Sequence, residues 1–267
     1  MSQNILSEEF IISPSVLKGY IFCPHNVYLK VNNVKKTNSS RNSKGLSQIY
    51  HHLFYSVFAE WNQGWILFKE PNIENSFAEF EKLLSSKEIV LGEDKIDNYI
   101  LTKNKETIIQ FLSELKKKLD SFNERFEVKE IEKKLELNLP KRNIRLIGFV
   151  DLVVFDKKYN KVAIIDLKNT NKSSSNSSIM SIQFYFYSAL LKKIENLNYY
   201  PNFYELNFNN FSMTLKKFDE SSSERRLLNR TLSELLKSIE TNTFPKKIGP
   251  NCLECNYSIA CRFTGSR

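Results

Sequence analysis

Asp151 lies inside the apolar run GFVDLVVF, and Asp166 lies inside VAIIDLK. A carboxylate in the middle of an apolar strand is costly unless it is paired or bound to a cation. The turn-like segment DKKYN separates the two runs, and both acids lie at about matching distances from it. A hairpin would therefore make them cross-strand neighbours. Lys168 follows Asp166 by two residues and shares its face of the strand. Two carboxylates and an ammonium on one face suit phosphodiester hydrolysis. Mg²⁺ or Mn²⁺ takes oxygen ligands and lowers the pKa of a bound water, and a lysine orients that water or offsets charge on the phosphate. A plain ion pair between Asp166 and Lys168 at a strand end fits the same spacing.

Other residues could join this group. Gln183 and Tyr187 are four apart in IMSIQFYFYSALLKKI and share a helical face. His51 and His52 sit on an aromatic-rich helical stretch. Neighbours on a helix point about 100° apart, so only one of them can reach a given site. An imidazole there would be a third metal ligand and would favour Mn²⁺. Glu60 and Glu130 are weaker candidate acids. Gly148, three before Asp151, leaves room for a ligand or a substrate backbone to approach.

The four cysteines form a second constellation. Cys252, Cys255 and Cys261 read C-x2-C-x5-C, and Cys23 stands near the other end of the chain. Four thiolates suit Zn²⁺ or an iron–sulfur cluster, and the spacing does not choose between them. Either would tie the first helix to the last loop.

Positioning elements follow from pattern. Ser13 and Pro14 open a helix that Pro24 ends near Cys23, and a second short helix covers His25 to Val31. Residues 32–45 form a basic polar loop. Helical periodicity marks 46–69, 76–85 and 98–120. From residue 126 the pattern changes to strands: FEVKEIEKKLELNL, IRLIGFVDLVVF and KVAIIDLKNT. A Ser- and Asn-rich loop, the helix of Gln183, the strand YYPNFYELNF and the helix SERRLLNRTLSELLKSIE complete an α/β order. The expected organisation is a single domain over 1–267. It has a mainly helical portion at 13–125, an α/β core at 126–240 and a cysteine-rich tail at 241–267 that packs with Cys23.

Composition bounds the rest. Hydrophobic residues make up 41% of the chain, which excludes a disordered polymer. No run reaches the roughly 18 apolar residues of a bilayer span, and the acidic N-terminal stretch is unlike a signal peptide. A cytoplasmic location without a membrane partner is expected. The 39 Lys and Arg exceed the 30 Asp and Glu, giving a net charge of +9 that favours a polyanionic partner.

Taken together, these motifs resemble the PD-(D/E)xK nuclease superfamily. Within it they look most like the RecB-like iron–sulfur exonucleases associated with CRISPR systems. SPSVLKGYIFCPHNVYL is similar to that family's opening, GFVDLVVF to its G-x-x-D strand, Asp166-Leu167-Lys168 to its D-x-K, and Gln183 with Tyr187 to its Q-x-x-x-Y helix. The resemblance implies a restriction-endonuclease-like α/β core sheet flanked by helices, with a helical N-terminal insertion. It implies His51, Asp151, Asp166 and Leu167 as ligands of Mg²⁺ or Mn²⁺, and Lys168, Gln183 and Tyr187 as catalytic partners. It further implies a [4Fe–4S] cluster on Cys23, Cys252, Cys255 and Cys261, with zinc less favoured. The expected activity is exonuclease action on DNA ends, single-stranded by preference, during CRISPR spacer acquisition, with CRISPR integrase proteins as partners. A repair or recombination nuclease outside CRISPR and a non-catalytic DNA-end-binding subunit are the alternatives. The family's basic residues after Cys-Pro are here His25 and Asn26, and two histidines stand where the family has one.

Overall fold

The computed structural model describes residues 9–34, 42–62, 65–86, 89–91, 94–96, 98–168, 177–208, 211–252 and 255–263. Residues 35–41 of the expected basic loop and most of the Ser/Asn-rich loop fall outside these residues, as do the side chains of Glu60, Trp61 and Trp65; residues 42–45, expected as loop, are already helical.

The chain opens with a short strand, β1 (Phe10–Ile12), and two helices, α1 (Pro14–Phe22) and α2 (Pro24–Val31). Ser13 caps α1 by accepting the Val16 N–H at 3.4 Å, and Pro14 occupies its first turn. Cys23 is extended between α1 and α2, as the residue before a proline prefers. The aromatic helix α3 (Asn42–Ser56) is shorter than its sequence pattern predicts. It stops at Ser56, and the remainder folds back as a hairpin of β2 (Ala59–Asn62) and β3 (Trp65–Phe68). Aromatic and β-branched residues suit both periods, so hydrophobicity alone could not separate helix from strand there. Next come α4 (Ile73–Ser85), capped by Asn72, and the small hairpin of β4 (Ile89–Leu91) and β5 (Asp94–Ile96). The stretch expected as one helix over 98–120 is two, α5 (Asn98–Lys103) and α6 (Lys105–Arg125), broken at Asn104.

The main sheet is built from β6 (Phe126–Leu139), β7 (Ile144–Asp156), β8 (Lys161–Lys168), β9 (Asn202–Asn207) and β10 (Ser212–Lys216), together with β1. The helices α7 (Ser177–Ile194) and α8 (Ser223–Thr241) follow β8 and β10, and α9 (Ser258–Phe263) closes the described chain. The β6–β7, β7–β8 and β9–β10 pairs are antiparallel, whereas β1–β7 and β8–β9 are parallel. The tight β7–β8 turn uses Asn160 in the left-handed region at φ 50°.

Two cores sandwich this sheet. One packs α3, α4 and α6 against Leu152, Val154, Ala163, Ile165, Leu167, Tyr204 and Leu206. The other packs α1, α7 and α8 against Ile144, Val150, Val153, Ile164 and Phe203. The result is a three-layer α/β/α arrangement. β6 runs along the whole of one edge of β7. The other edge is shared: β1 pairs with Ile144–Leu146, and β8 pairs with Leu152–Asp156. Between the ends of β1 and β8 lies an unpaired stretch of β7 that contains Gly148 and Asp151.

Candidate active site

That unpaired stretch is where the candidate residues meet. The β7–β8 ladder ends at Leu152 and Ile165, which leaves Asp151 and Asp166 opposite each other one step further on, as the hairpin spacing predicts. On the other side, the β6–β7 ladder pairs Ile131 with Leu152 and Lys133 with Val150 and skips the step between them, Glu132 opposite Asp151. Asp166 is in parallel register with Glu205 on β9. Four neighbouring strands therefore place Glu132, Asp151, Asp166 and Glu205 in one row across the sheet. Glu132 has a φ of 49°, unusual for any residue but glycine within a strand. The packing side also changes here: Ile144 and Val150 belong to the α7 core, whereas Leu152 and Val154 belong to the α3 core.

Asp151 is held by three groups. The Leu167 N–H donates to its Oδ2 at 2.6 Å, the Tyr55 hydroxyl donates to its Oδ1 at 3.3 Å, and His51 Nδ1 lies 3.5 Å from Oδ1. The His51 ring also hydrogen-bonds the Leu167 carbonyl. Asp166 is buried. Its Oδ1 accepts from Gln183 Nε2 at 3.0 Å, and its Oδ2 forms an ion pair with the Lys168 ammonium. That buried Oδ2 otherwise has no hydrogen-bond partner. Burial pushes both carboxyls up to about 6. The charge of Glu132 adds to the rise at Asp151, that of Asp151 adds to the rise at Asp166, and Lys168 opposes both. Burial works against the charge on Lys168 too, yet the fields of Asp166 and Asp151 win and hold its pKa above the ordinary value. Burial lowers the pKa of His51, keeping the imidazole neutral, the form that binds metal. Burial and Asp151 raise the pKa of Tyr55, so its hydroxyl stays a donor.

The chemistry of this donor set suits a divalent cation. Two desolvated carboxylates, a neutral imidazole and a main-chain carbonyl converge, and one buried carboxylate oxygen is met only by the Lys168 ammonium. Among the described residues no three His, Cys, Asp or Glu side chains already stand in a metal-holding arrangement. Tyr55 and Lys168 instead lie against the two carboxylates.

The two histidines face different neighbours. His51 faces Asp151, whereas His52 points to Glu79 at 3.1 Å on the far side of α3. Glu130 does not reach the site and pairs with Lys133. It is Glu132, absent from the sequence expectation, whose charge acts on Asp151, His51 and Tyr55. Gly148 has a different use from the one its position suggests. A Cβ there would lie 2.5 Å from Tyr187 Cε1, so the tyrosine ring, not a ligand, takes the space. The Tyr187 hydroxyl meets Gln183 Nε2 at 3.4 Å and the main chain of Phe149. Lys18 on α1 is a further member that the sequence motifs did not indicate. Its Nζ donates to Gln183 Oε1 at 2.8 Å. It is the sole basic residue in PSVLKGYIF, the one sequence signal that could have found it.

The cysteines converge at the opposite end of α1. The Lys247 N–H points at Cys23 Sγ at 3.4 Å, and Cys252 Sγ meets the Lys247 carbonyl at 3.8 Å. Asn26 Nδ2 approaches Cys255 Sγ at 3.9 Å. Burial raises the pKa of the Cys261 thiol, and Cys23, Cys255 and Cys252 each add to the rise. All four thiols thus share one neighbourhood.

Comparison with known proteins gives the geometry its family. A family model of the PD-(D/E)XK nuclease superfamily matches residues 11–262. The chain belongs to that superfamily. It is therefore a nuclease by family, and the matched span contains Asp151, Asp166 and Lys168. No curated protein matches. Among solved structures, a candidate exonuclease from Eubacterium rectale aligns with a TM-score of 0.51 at 11% identity, over 97% of this chain and 89% of that one. That similarity supports the α/β nuclease fold. SSO0001 aligns over the same shares at 14% identity with a TM-score of 0.42. Among the described residues no helix is long and apolar enough to cross a membrane.

Proposed function

We propose that the protein is a Mg²⁺- or Mn²⁺-dependent deoxyribonuclease that works from DNA ends, with single strands preferred. The observation that carries this reading is the meeting of Asp151, Asp166 and Lys168 in the unpaired stretch beside β7, with the buried Asp166 Oδ2 met only by the Lys168 ammonium.

Asp151, Asp166, His51 and the Leu167 carbonyl would hold the cation. It would polarise the phosphoryl oxygen and lower the pKa of the attacking water. The remaining roles belong to the chain itself. Lys168 stays protonated beside both acids, so it orients the water and offsets charge on the phosphate. Gln183 fixes Asp166, and Tyr187 braces Gln183 against the bare backbone at Gly148. Tyr55 and His51 fix Asp151 from the α3 layer. The net charge of +9 supplies long-range attraction to DNA.

The proposal extends to the cysteines. Cys23, Cys252, Cys255 and Cys261 would bind a [4Fe–4S] cluster, and the shared neighbourhood of the four thiols supports this. The proposed setting is the trimming of DNA ends for spacer acquisition beside CRISPR integrase proteins, a setting supported by the sequence resemblance.

The test is degradation of linear against covalently closed circular single-stranded DNA in Mn²⁺, Mg²⁺ or EDTA. The linear substrate is labelled at either end. Loss of the linear DNA alone, only with a divalent ion, is expected. Cleavage of circles overturns the end requirement, and cleavage in EDTA overturns the metal requirement.

A further inference from the structure

We propose that Lys18 is a positioning residue of this site, which locks the Gln183 amide so that its N–H face, not its carbonyl, meets Asp166. The inference rests on the nuclease reading above.

A glutamine amide presents one acceptor and two donors on a nearly symmetric frame, so its neighbours decide which end points where. Lys18 offers only donors. Its Nζ lies 2.8 Å from one end of the Gln183 amide, and that end must be the oxygen. The nitrogen then faces the other way, and Nε2 donates to Asp166 Oδ1 at 3.0 Å and reaches the Tyr187 hydroxyl at 3.4 Å. With the amide turned over, its carbonyl would face the Asp166 carboxylate, two acceptors in contact. Lys18 thereby keeps Oδ1 of Asp166 engaged, and Oδ2 is the oxygen left to Lys168 and the cation.

The fold explains how Lys18 comes to be there. β1 pairs with β7 along Ile144–Leu146, and α1 starts two residues beyond, at the mouth of the unpaired stretch. Val16, Leu17 and Tyr20 bury one side of α1, and the Tyr20 hydroxyl bonds Ser238 on α8 at 2.8 Å. These anchors fix the roll of the helix and leave Lys18 half-buried over α7. Its ammonium lies within the fields of Lys168, Asp166, Glu205 and Lys216, and burial lowers its pKa before any of these acts. This is not the setting of a solvent-facing lysine.

The competing role is a direct grip on a DNA phosphate. A double-mutant cycle separates the two. Cleavage of a single-stranded oligonucleotide in Mn²⁺ is measured for wild type, Lys18→Met, Lys18→Arg, Gln183→Ala and the Lys18→Met/Gln183→Ala double variant. Lys18→Met should lower kcat by roughly 10- to 100-fold with KM changed less than about twofold, because one charge-assisted bond and the aim of a ligand are lost. Lys18→Arg should restore most of the rate. The double variant should be no slower than Gln183→Ala if the effect of Lys18 on the rate passes through that amide. Losses that multiply, or a rise in KM with a shallower salt dependence, overturn the proposal in favour of the phosphate grip.

A second readout does not need activity. The side-chain amide of Gln183, observed by ¹⁵N NMR, should shift and lose protection from exchange in Lys18→Met. Unchanged Gln183 side-chain resonances overturn the positioning role whatever the kinetics show. A wild-type protein that fails to cleave sinks the nuclease reading, and the NMR comparison still decides Lys18.

Discussion

Asp151→Asn should make the metal-free protein more stable while destroying its activity. The carboxyl has its pKa raised from 3.8 to about 6, with burial the largest cause. The sign follows from linkage. The folded protein keeps a proton that the unfolded chain releases between these two values, so folding stability falls as pH rises through that window and stays lowered above it. Two pH units at about 1.4 kcal/mol each give near 3 kcal/mol as the upper limit of the penalty removed at about pH 7.5. Asparagine keeps an acceptor for the Leu167 N–H and loses the charge that also raises Asp166, but it weakens the field that favours Lys168. A net gain of about 1–3 kcal/mol is expected, or several degrees in Tm for a chain of this size. The assay is thermal unfolding followed by circular dichroism in EDTA, at about pH 7.5 and about pH 5, and again with Mn²⁺. The gain should be largest at the higher pH and shrink at the lower, where wild-type Asp151 is already mostly protonated. Mn²⁺ should raise the Tm of wild type and leave the variant unmoved. A variant less stable than wild type at the higher pH, or a gain equal at both, would refute the reasoning.

Three further outcomes test other parts of the structure. Gly148→Ala forces a Cβ to within 2.5 Å of the Tyr187 ring and should cost about 1–3 kcal/mol with a matching fall in cleavage; Tyr187→Leu in the same chain should recover stability in thermal unfolding, and no recovery would show that the clash is not the cause. Asp156 is fully buried under Arg125 and Tyr204 at the far end of the β7–β8 hairpin. Asp156→Ala should cost on the order of 3 kcal/mol in urea unfolding, with the cleavage rate per folded molecule unchanged. Cys255→Ala should lose iron on metal analysis of anaerobically purified protein, and normal iron content would sink the four-cysteine assignment.

Much of the carboxylate cluster was legible because charge inside an apolar strand is so costly. Asp151 and Asp166 stand out for that reason, and the short DKKYN turn between them is enough to set their register. Cys23 and the C-x2-C-x5-C tail stand out by spacing, and the structure brings the four thiols into one neighbourhood. Other features depended on three-dimensional facts with no local signature. Residues 59–68 satisfy both a helical and a strand pattern, and no local sequence signal selects the hairpin that follows Ser56. His51 and His52 are chemically identical in sequence, and the roll of α3 decides between Asp151 and Glu79. Glu132 looked like one acid among several in KEIEKKLEL, because a left-handed residue in mid-strand leaves no mark unless it is glycine or asparagine. Lys18 lies 165 residues from Gln183, so only the β1–β7 pairing and the α1 anchors bring the two together.

The central claim is that Asp151, Asp166 and Lys168 form one hydrolytic site that depends on a divalent cation. Cleavage of end-labelled single-stranded DNA by wild type, Asp166→Ala and Lys168→Ala, in Mn²⁺ and in EDTA, tests it most directly. The account predicts cleavage by wild type in Mn²⁺ alone, and a loss of about 10³-fold or more in both folded variants. Cleavage by Asp166→Ala at the wild-type rate would contradict it, as would a folded, cysteine-loaded wild type that binds DNA and leaves it intact with every divalent ion.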